Sequence, residues 1–191
     1  MRTGIYCGSF DPVHAGHVAI MGAALASGYV DEVVVVPTGN YWDKKGLMDL
    51  VHRVKMLELV VPAGVRVAGE YSEYVWTNEL FMVYGAEHPA EELVLLIGAD
   101  NLGRFEEWRD YRSLLKYDFF VVPRGGFDGS YVTERMAELG KANYLVAEGV
   151  DLPFASSLIR EGLNGGAKEV AGVDGAVLAY IRTNHLYGYG E

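Results

Sequence analysis

His14 and His17 stand three residues apart inside Gly8-Ser9-Phe10-Asp11-Pro12-Val13-His14-Ala15-Gly16-His17, near the start of a 191-residue chain. Two imidazoles at this spacing can share one face, and Gly16 between them keeps that face open. Imidazole N–H groups can donate to phosphoryl oxygens and stabilise charge that builds on them in a transition state. A metal pair is the alternative, but it needs a third ligand, and no His/Cys cluster elsewhere supplies one. Two surface histidines at a turn are the plainer alternative. The surroundings favour phosphate: Gly8 lets backbone approach a ligand closely, and Asp11-Pro12 bends the chain before a helix. That helix offers unpaired N–H groups and the positive end of its dipole.

A second group of polar side chains is Ser156, Ser157 and Arg160. Either serine can cap the helix that follows, and Arg160 one turn in can be an ordinary solvated residue. The same three residues at a helix N-terminus also make a good triphosphate clamp. His52, His88 and His185 have no convergent partners and read as structural or exposed.

Holding such groups together requires strands that end at a common edge. Thr3 to Cys7 is a short apolar run that reads as a buried strand, with helical spacing from Val18 to Leu25 after it. Val33 to Pro37, Leu93 to Ile97 and Phe119 to Val122 are continuous apolar runs of the kind buried on both faces of a parallel sheet. Val65 to Ala68 and Tyr144 to Val146 read as shorter strands. Helices are expected from Leu50 to Pro62, Asn78 to Gly85, Asn101 to Phe105, Val132 to Leu139, from Ser156 to the Gly165-Gly166 break, and around Val177 to Ile181. The loop from Thr38 to Gly46 is expected to order over ligands, and Gly125 to Gly129 to be mobile. Strand–helix alternation predicts an α/β fold, a Rossmann-like doubly wound parallel sheet with C-terminal helices, as a single domain over 1–191. A ligand belongs at the carboxyl ends of the first and fourth strands.

Composition narrows the partners. Half of the residues are hydrophobic, which excludes a disordered chain. A net charge of −10 argues against general binding to nucleic acid or an anionic membrane. It also means that polyphosphate must be held by local donors and a few placed cations. A lone cysteine, Cys7, reads as packed rather than reactive. With no signal peptide and no membrane-length apolar run, a cytoplasmic enzyme is expected. The sequence leaves a homo-oligomer open.

The segment from Gly8 to His17 resembles the G-[TS]-F-D-P-x-H-x-G-H signature of the nucleotidylyltransferase superfamily. Pro153 to Arg160 is similar to the I-S-S-T-x-I-R stretch of its nicotinate/nicotinamide mononucleotide adenylyltransferases, with Ala155 in place of one serine. Val177 to Tyr187 is similar to that family's closing V-x-x-Y-I-x-x-x-x-L-Y. The resemblance implies that ATP meets Gly8, Ser9, Phe10 and Gly16 through the loop and His14 and His17 through their rings. Ser156, Ser157 and Arg160 would hold its phosphates. Gly98-Ala99-Asp100 resembles the family's G-x-D, where Asp100 would meet a ribose hydroxyl or metal-bound water; capping the next helix is the alternative.

The resemblance also supplies a mononucleotide site. Trp108-Arg109 falls where the family stacks a tryptophan near the pyridine, an ordinary core tryptophan being the alternative, and Trp76-Thr77, beside Val75, is similar to its S-Y-T wall. Lys44 matches the lysine of its P-P-H-K loop, although Tyr41-Trp42-Asp43 has replaced the rest and an ordinary exposed lysine is the alternative; Arg53 matches an arginine on the next helix. His14, His17, Lys44 and Arg160 would then be catalytic, with Mg²⁺ carried mainly on the ATP phosphates and no protein metal ligands. The implied reaction is adenylyl transfer from ATP to nicotinate mononucleotide, giving deamido-NAD and pyrophosphate. Nicotinamide mononucleotide as acceptor is the alternative. Phosphopantetheine or cytidylyl transfer, or a non-catalytic nucleotide sensor, stands further off.

Overall fold

The computed structural model describes residues 1–39, 46–150, 153–167 and 169–188. Six strands and eight α-helices alternate along these residues. The first half runs β1 (Arg2–Gly8), α1 (Ala15–Ala26), β2 (Glu32–Pro37), α2 (Leu50–Glu58), β3 (Val65–Val67) and α3 (Thr77–Glu87). The second half runs β4 (Glu92–Gly98), α4 (Ala99–Leu102), α5 (Tyr111–Leu114), β5 (Asp118–Val122), α6 (Gly129–Glu138), β6 (Tyr144–Val146), α7 (Ser156–Asn164) and α8 (Gly175–Thr183).

All strands are parallel, in the order β3-β2-β1-β4-β5-β6, so the winding reverses between β1 and β4. Alternate residues of each apolar run face opposite layers. Val33, Val35, Val94, Leu96 and Phe120 pack with α1, α7 and α8 through Ile20, Met21, Ile159, Leu163 and Ile181. Val34, Val36, Leu95, Ile97 and Phe119 pack with α3 to α6 through Phe81, Leu102, Leu114, Val132 and Met136. Two covered faces explain why these strands read as unbroken apolar runs. The Rossmann-like α/β fold expected from the sequence is therefore present. No helix among the described residues is long and apolar enough to cross a membrane.

Several local expectations are corrected. The helix expected over Asn101 to Phe105 is split into α4 and a 3₁₀ turn at Phe105–Glu107. Gly103 follows α4 directly, and a glycine there weakens helix continuation. Trp108 has extended backbone (φ −70°, ψ 138°) between that turn and α5. The helix from Leu50 ends at Glu58 rather than at Pro62. Neither Ser156 nor Ser157 caps α7; Ala155 holds that position, with no side-chain cap.

Candidate active site

At the winding reversal the carboxyl ends of β1, β2, β4 and β5 open into a cavity of about 850 Å³. Its floor is the turn after β1. Gly8 is needed there because a Cβ would lie 2.9 Å from the Phe10 ring. Phe10, at φ 48° and 1 % exposed, wedges edge-on between Tyr6 (5.3 Å between centroids) and His17 (4.9 Å). The loop is thus fixed by an aromatic packed beneath it, not by glycine alone.

The two histidines form a reciprocal cap on α1. Gly16 N–H donates to His14 Nδ1 at 3.1 Å, and His14 N–H donates to His17 Nδ1 at 3.3 Å. Because each Nδ1 accepts, each neutral ring carries its proton on Nε2. The rings stack with centroids 3.7 Å apart. Burial, then the charge of Arg124, lowers His14 to about 4. Burial, then His14 and Arg124, holds His17 well below the usual histidine range. The pair is neutral at pH 7, and two stacked imidazolium ions at this distance would repel strongly.

The start of α1 has fewer free donors than its sequence suggests. Ala15 N–H donates to the Gly172 carbonyl at 2.8 Å, and Gly16 N–H is taken by His14. The uncapped helix start at the cavity belongs instead to α7, where Ser156, Ser157 and Arg160 all line the wall. Ser156 Oγ donates to the Pro12 carbonyl at 3.1 Å, and Arg160 Nη1 to the Asp11 carbonyl at 2.5 Å, so α7 is pinned to the loop after β1.

Of the residues expected from the sequence, Gly8, Ser9, Phe10, His17, Gly98 and the α7 trio line one cavity. Val75, Trp76, Thr77, Trp108 and Arg109 line it as well. The Arg109 guanidinium lies 5.6 Å from the Trp76 ring centre and 3.0 Å from Glu79 of α3, which orients it. His14, Gly16 and Asp100 are not among the lining residues. His14 is 5 % exposed behind His17, and a Cβ at Gly16 would meet the His14 ring at 3.0 Å. Asp100 does not cap α4; it is held in a two-point ion pair by the cavity-lining Arg124, 3.0 Å from each oxygen. Gly98 permits that pair, since a Cβ there would lie 2.4 Å from Asp100 Oδ1. Lys44 lies outside the described residues, as do Tyr41, Trp42 and Asp43.

Sequence reasoning passed over Thr38, which directly follows β2, and Arg124, two residues beyond the end of β5. Both line the cavity, and Thr38 Oγ1 is buried with no hydrogen-bond partner among the described residues. It underrated Arg53, which is fully buried and donates to the carbonyls of Ser9 and Met48, each at 2.8 Å. Arg104, paired with Glu107, completes a set of four lining arginines with Arg109, Arg124 and Arg160. Guanidinium groups are thereby placed where the sheet reverses, each beside a carboxylate: Glu107, Glu79, Asp100 and Asp11. His52 bonds Tyr180 at 2.9 Å, and His88 stacks on Tyr84 at 4.2 Å, both well away from these groups.

Arginines, a neutral histidine donor and an open helix start around a sheet-end cavity give an α/β site with the chemistry to hold phosphate. Residues 5–162 match the family model described as cytidylyltransferase-like. The chain is 30% identical to a probable nicotinate-nucleotide adenylyltransferase of Leifsonia xyli, over 97% of this chain and 94% of that protein. It is 31% identical to a protein of the same description from Bordetella pertussis, over 97% and 98%. Its fold matches that of Plasmodium falciparum nicotinic acid mononucleotide adenylyltransferase complexed with NaAD, with a TM-score of 0.79 at 20% identity over 99% of this chain and 98% of that one. The chain belongs to the cytidylyltransferase-like family, among its nicotinate-nucleotide adenylyltransferases.

Proposed function

We propose that this chain transfers the adenylyl group of ATP to nicotinate mononucleotide, releasing pyrophosphate and forming deamido-NAD. One observation carries the reading: a single cavity is lined both by His17 with the start of α7 and by Trp76, Trp108 and Arg109. The first set suits phosphates and the second an anionic aromatic ring, so both substrates can meet there.

A phosphate oxygen of the mononucleotide attacks the α-phosphorus of ATP, and the bond from that phosphorus to the bridging oxygen breaks. Such a reaction depends on positioning and on stabilising charge rather than on a covalent intermediate. His17 Nε2–H is the donor aimed at the developing charge, and its low basicity keeps it a hydrogen-bond donor rather than a cation. Ser156, Ser157 and Arg160 hold the departing phosphates, while Gly8 to Phe10 lets the nucleotide approach the backbone. His14 acts through His17 by stacking and by fixing its tautomer. Trp76, Thr77, Trp108 and Arg109 receive the pyridine ring, and Lys44 adds charge to the phosphates.

Mg²⁺ fits as an ion carried by the ATP phosphates and water, whose charge it neutralises. The nearby carboxylates are already engaged: Asp11 by Tyr187, Asp100 by Arg124 and Glu107 by Arg104. A cytoplasmic setting suits both substrates and the lone thiol of Cys7. Pyrophosphate release measured with nicotinate mononucleotide, nicotinamide mononucleotide, phosphopantetheine and CTP-linked acceptors tests the assignment. Turnover is expected with the pyridine mononucleotides and ATP; turnover confined to the other acceptors would refute it.

A further inference from the structure

Asp11, in the loop after β1, is 1 % exposed and is held by groups from three distant parts of the chain. Tyr187 donates its hydroxyl to Oδ1 at 2.6 Å, across 176 residues. Met48 N–H lies 3.3 Å from both carboxylate oxygens. Arg160 Nη1 donates to the Asp11 carbonyl and stands 3.8 Å from Oδ2. Below them Arg53 ties the Ser9 and Met48 carbonyls together. A buried carboxylate needs its donors, because leaving it short of them carries a desolvation cost.

The chain adopts costly backbone to deliver the Tyr187 hydroxyl. Tyr187 has φ 57° and ψ 30°, and His185 has φ 50°, both in the left-handed region that side chains rarely enter. Such conformations persist only where their surroundings over-determine them, and they cluster at functional sites. Here the turn after α8 is seated by Leu186, 6 % exposed, and by Gly188, where a Cβ would fall 2.6 Å from Asn164 Oδ1. Tyr187 itself is absent from the cavity wall, so whatever it does for ligand binding passes through Asp11.

We propose that Tyr187 is a positioning residue for ATP, satisfying the Asp11 carboxylate, itself at the cavity wall, so that it does not hold the Arg160 guanidinium away from a bound phosphate. The inference rests on Arg160 being a phosphate ligand, as read above. Without the hydroxyl, Asp11 lacks its shortest hydrogen bond and leans on two cations, Arg53 and Arg160. Arg53 is fully buried and committed to the Ser9 and Met48 carbonyls. Arg160, 39 % exposed and already 3.8 Å away, is the one with room to move closer. The guanidinium then neutralises Asp11 instead of a phosphate. The effect falls on ATP and spares the pyridine mononucleotide.

Tyr187→Phe keeps the ring and its packing and removes only the hydroxyl. ATP and nicotinate mononucleotide would be titrated calorimetrically into the unaltered chain, Tyr187→Phe, Arg160→Ala and the double variant, with thermal melts alongside. Tyr187→Phe is expected to weaken ATP about tenfold, the scale of one charge-assisted hydrogen bond. Nicotinate mononucleotide affinity should stay within about twofold, and in the Arg160→Ala background the same substitution should change ATP affinity by less than about twofold. Equal ATP losses in both backgrounds, parallel losses of both ligands, or no loss of ATP would overturn the proposal. Production of deamido-NAD by the unaltered chain is read separately, so its failure would strike the catalytic assignment and leave the ATP cycle informative.

Discussion

With Nδ1 of His17 accepting from the His14 backbone, the ring has one donor left, Nε2–H. A donor fixed in this way costs no reorganisation when charge appears on a phosphoryl oxygen. The two rings are not surface histidines at a turn, since His14 is 5 % exposed; their Nδ1 atoms hold the turn, and Nε2–H of His17 is left for the proposed chemistry. His17→Ala is expected to lower kcat by roughly 10²–10³, the scale of losing one well-placed donor. Steady-state turnover at saturating substrates checks it, and a kcat within threefold of the unaltered chain would remove His17 from the reaction. The motif itself was legible because loop, spacing and helix coincide in ten consecutive residues. What it could not show is which nitrogen serves the fold, since that depends on where Gly16 N–H and His14 N–H point.

The start of α1 is also where the protein is sensitive to acid. Burial and Arg124 hold His14 at about 4, and His17 is lowered in the same direction. In the unfolded chain both rings titrate near ~6.5. Between these values the unfolded chain binds more protons than the folded one, so stability rises with pH across the window. For His14 it is fully present above about 6.5 and is lost as pH falls toward about 4, at up to ~1.4 kcal/mol per pH unit, and His17 acts in the same direction. Urea unfolding at pH 7.5, 6.5 and 5.5 should show the midpoint dropping below pH 6.5, before most carboxylates titrate. A midpoint unchanged between pH 7.5 and 5.5 would mean that the rings are not held neutral. At this scale the strands were readable from their apolar runs, and α1, α3, α6 and α8 from their spacing. The break between α4 and the following turn was obscured because Phe105 continues an apolar pattern that Gly103 interrupts in the backbone. The missing cap on α7 was obscured because Ser156 turns to the Pro12 carbonyl, a contact across 144 residues.

Across the whole molecule, the winding reversal between β1 and β4 gathers residues that the sequence keeps far apart. The sheet order made the cavity's place predictable, because ligands bind where connections leave in opposite directions. The converging groups were less so: Arg124 looked like part of a turn, and the pairing of Asp11 with Tyr187 has no local signature. Charge is distributed to the same end. Four arginines line the cavity of a chain whose net charge is −10, and Arg109 stands over Trp76 while Glu79 holds it in place. Nicotinate and nicotinamide have nearly the same shape, so a site can separate them only by charge and donor placement. On the proposed reading Arg109 beside Trp108 is the charge that would distinguish the carboxylate, and its exposed ion pair with Glu79 is weak enough to be shared with a ligand. The most direct test is a competition with ATP and equal concentrations of nicotinate and nicotinamide mononucleotides, products being separated and counted at low conversion. A majority of deamido-NAD is the expected result, and a majority of NAD would contradict the assignment.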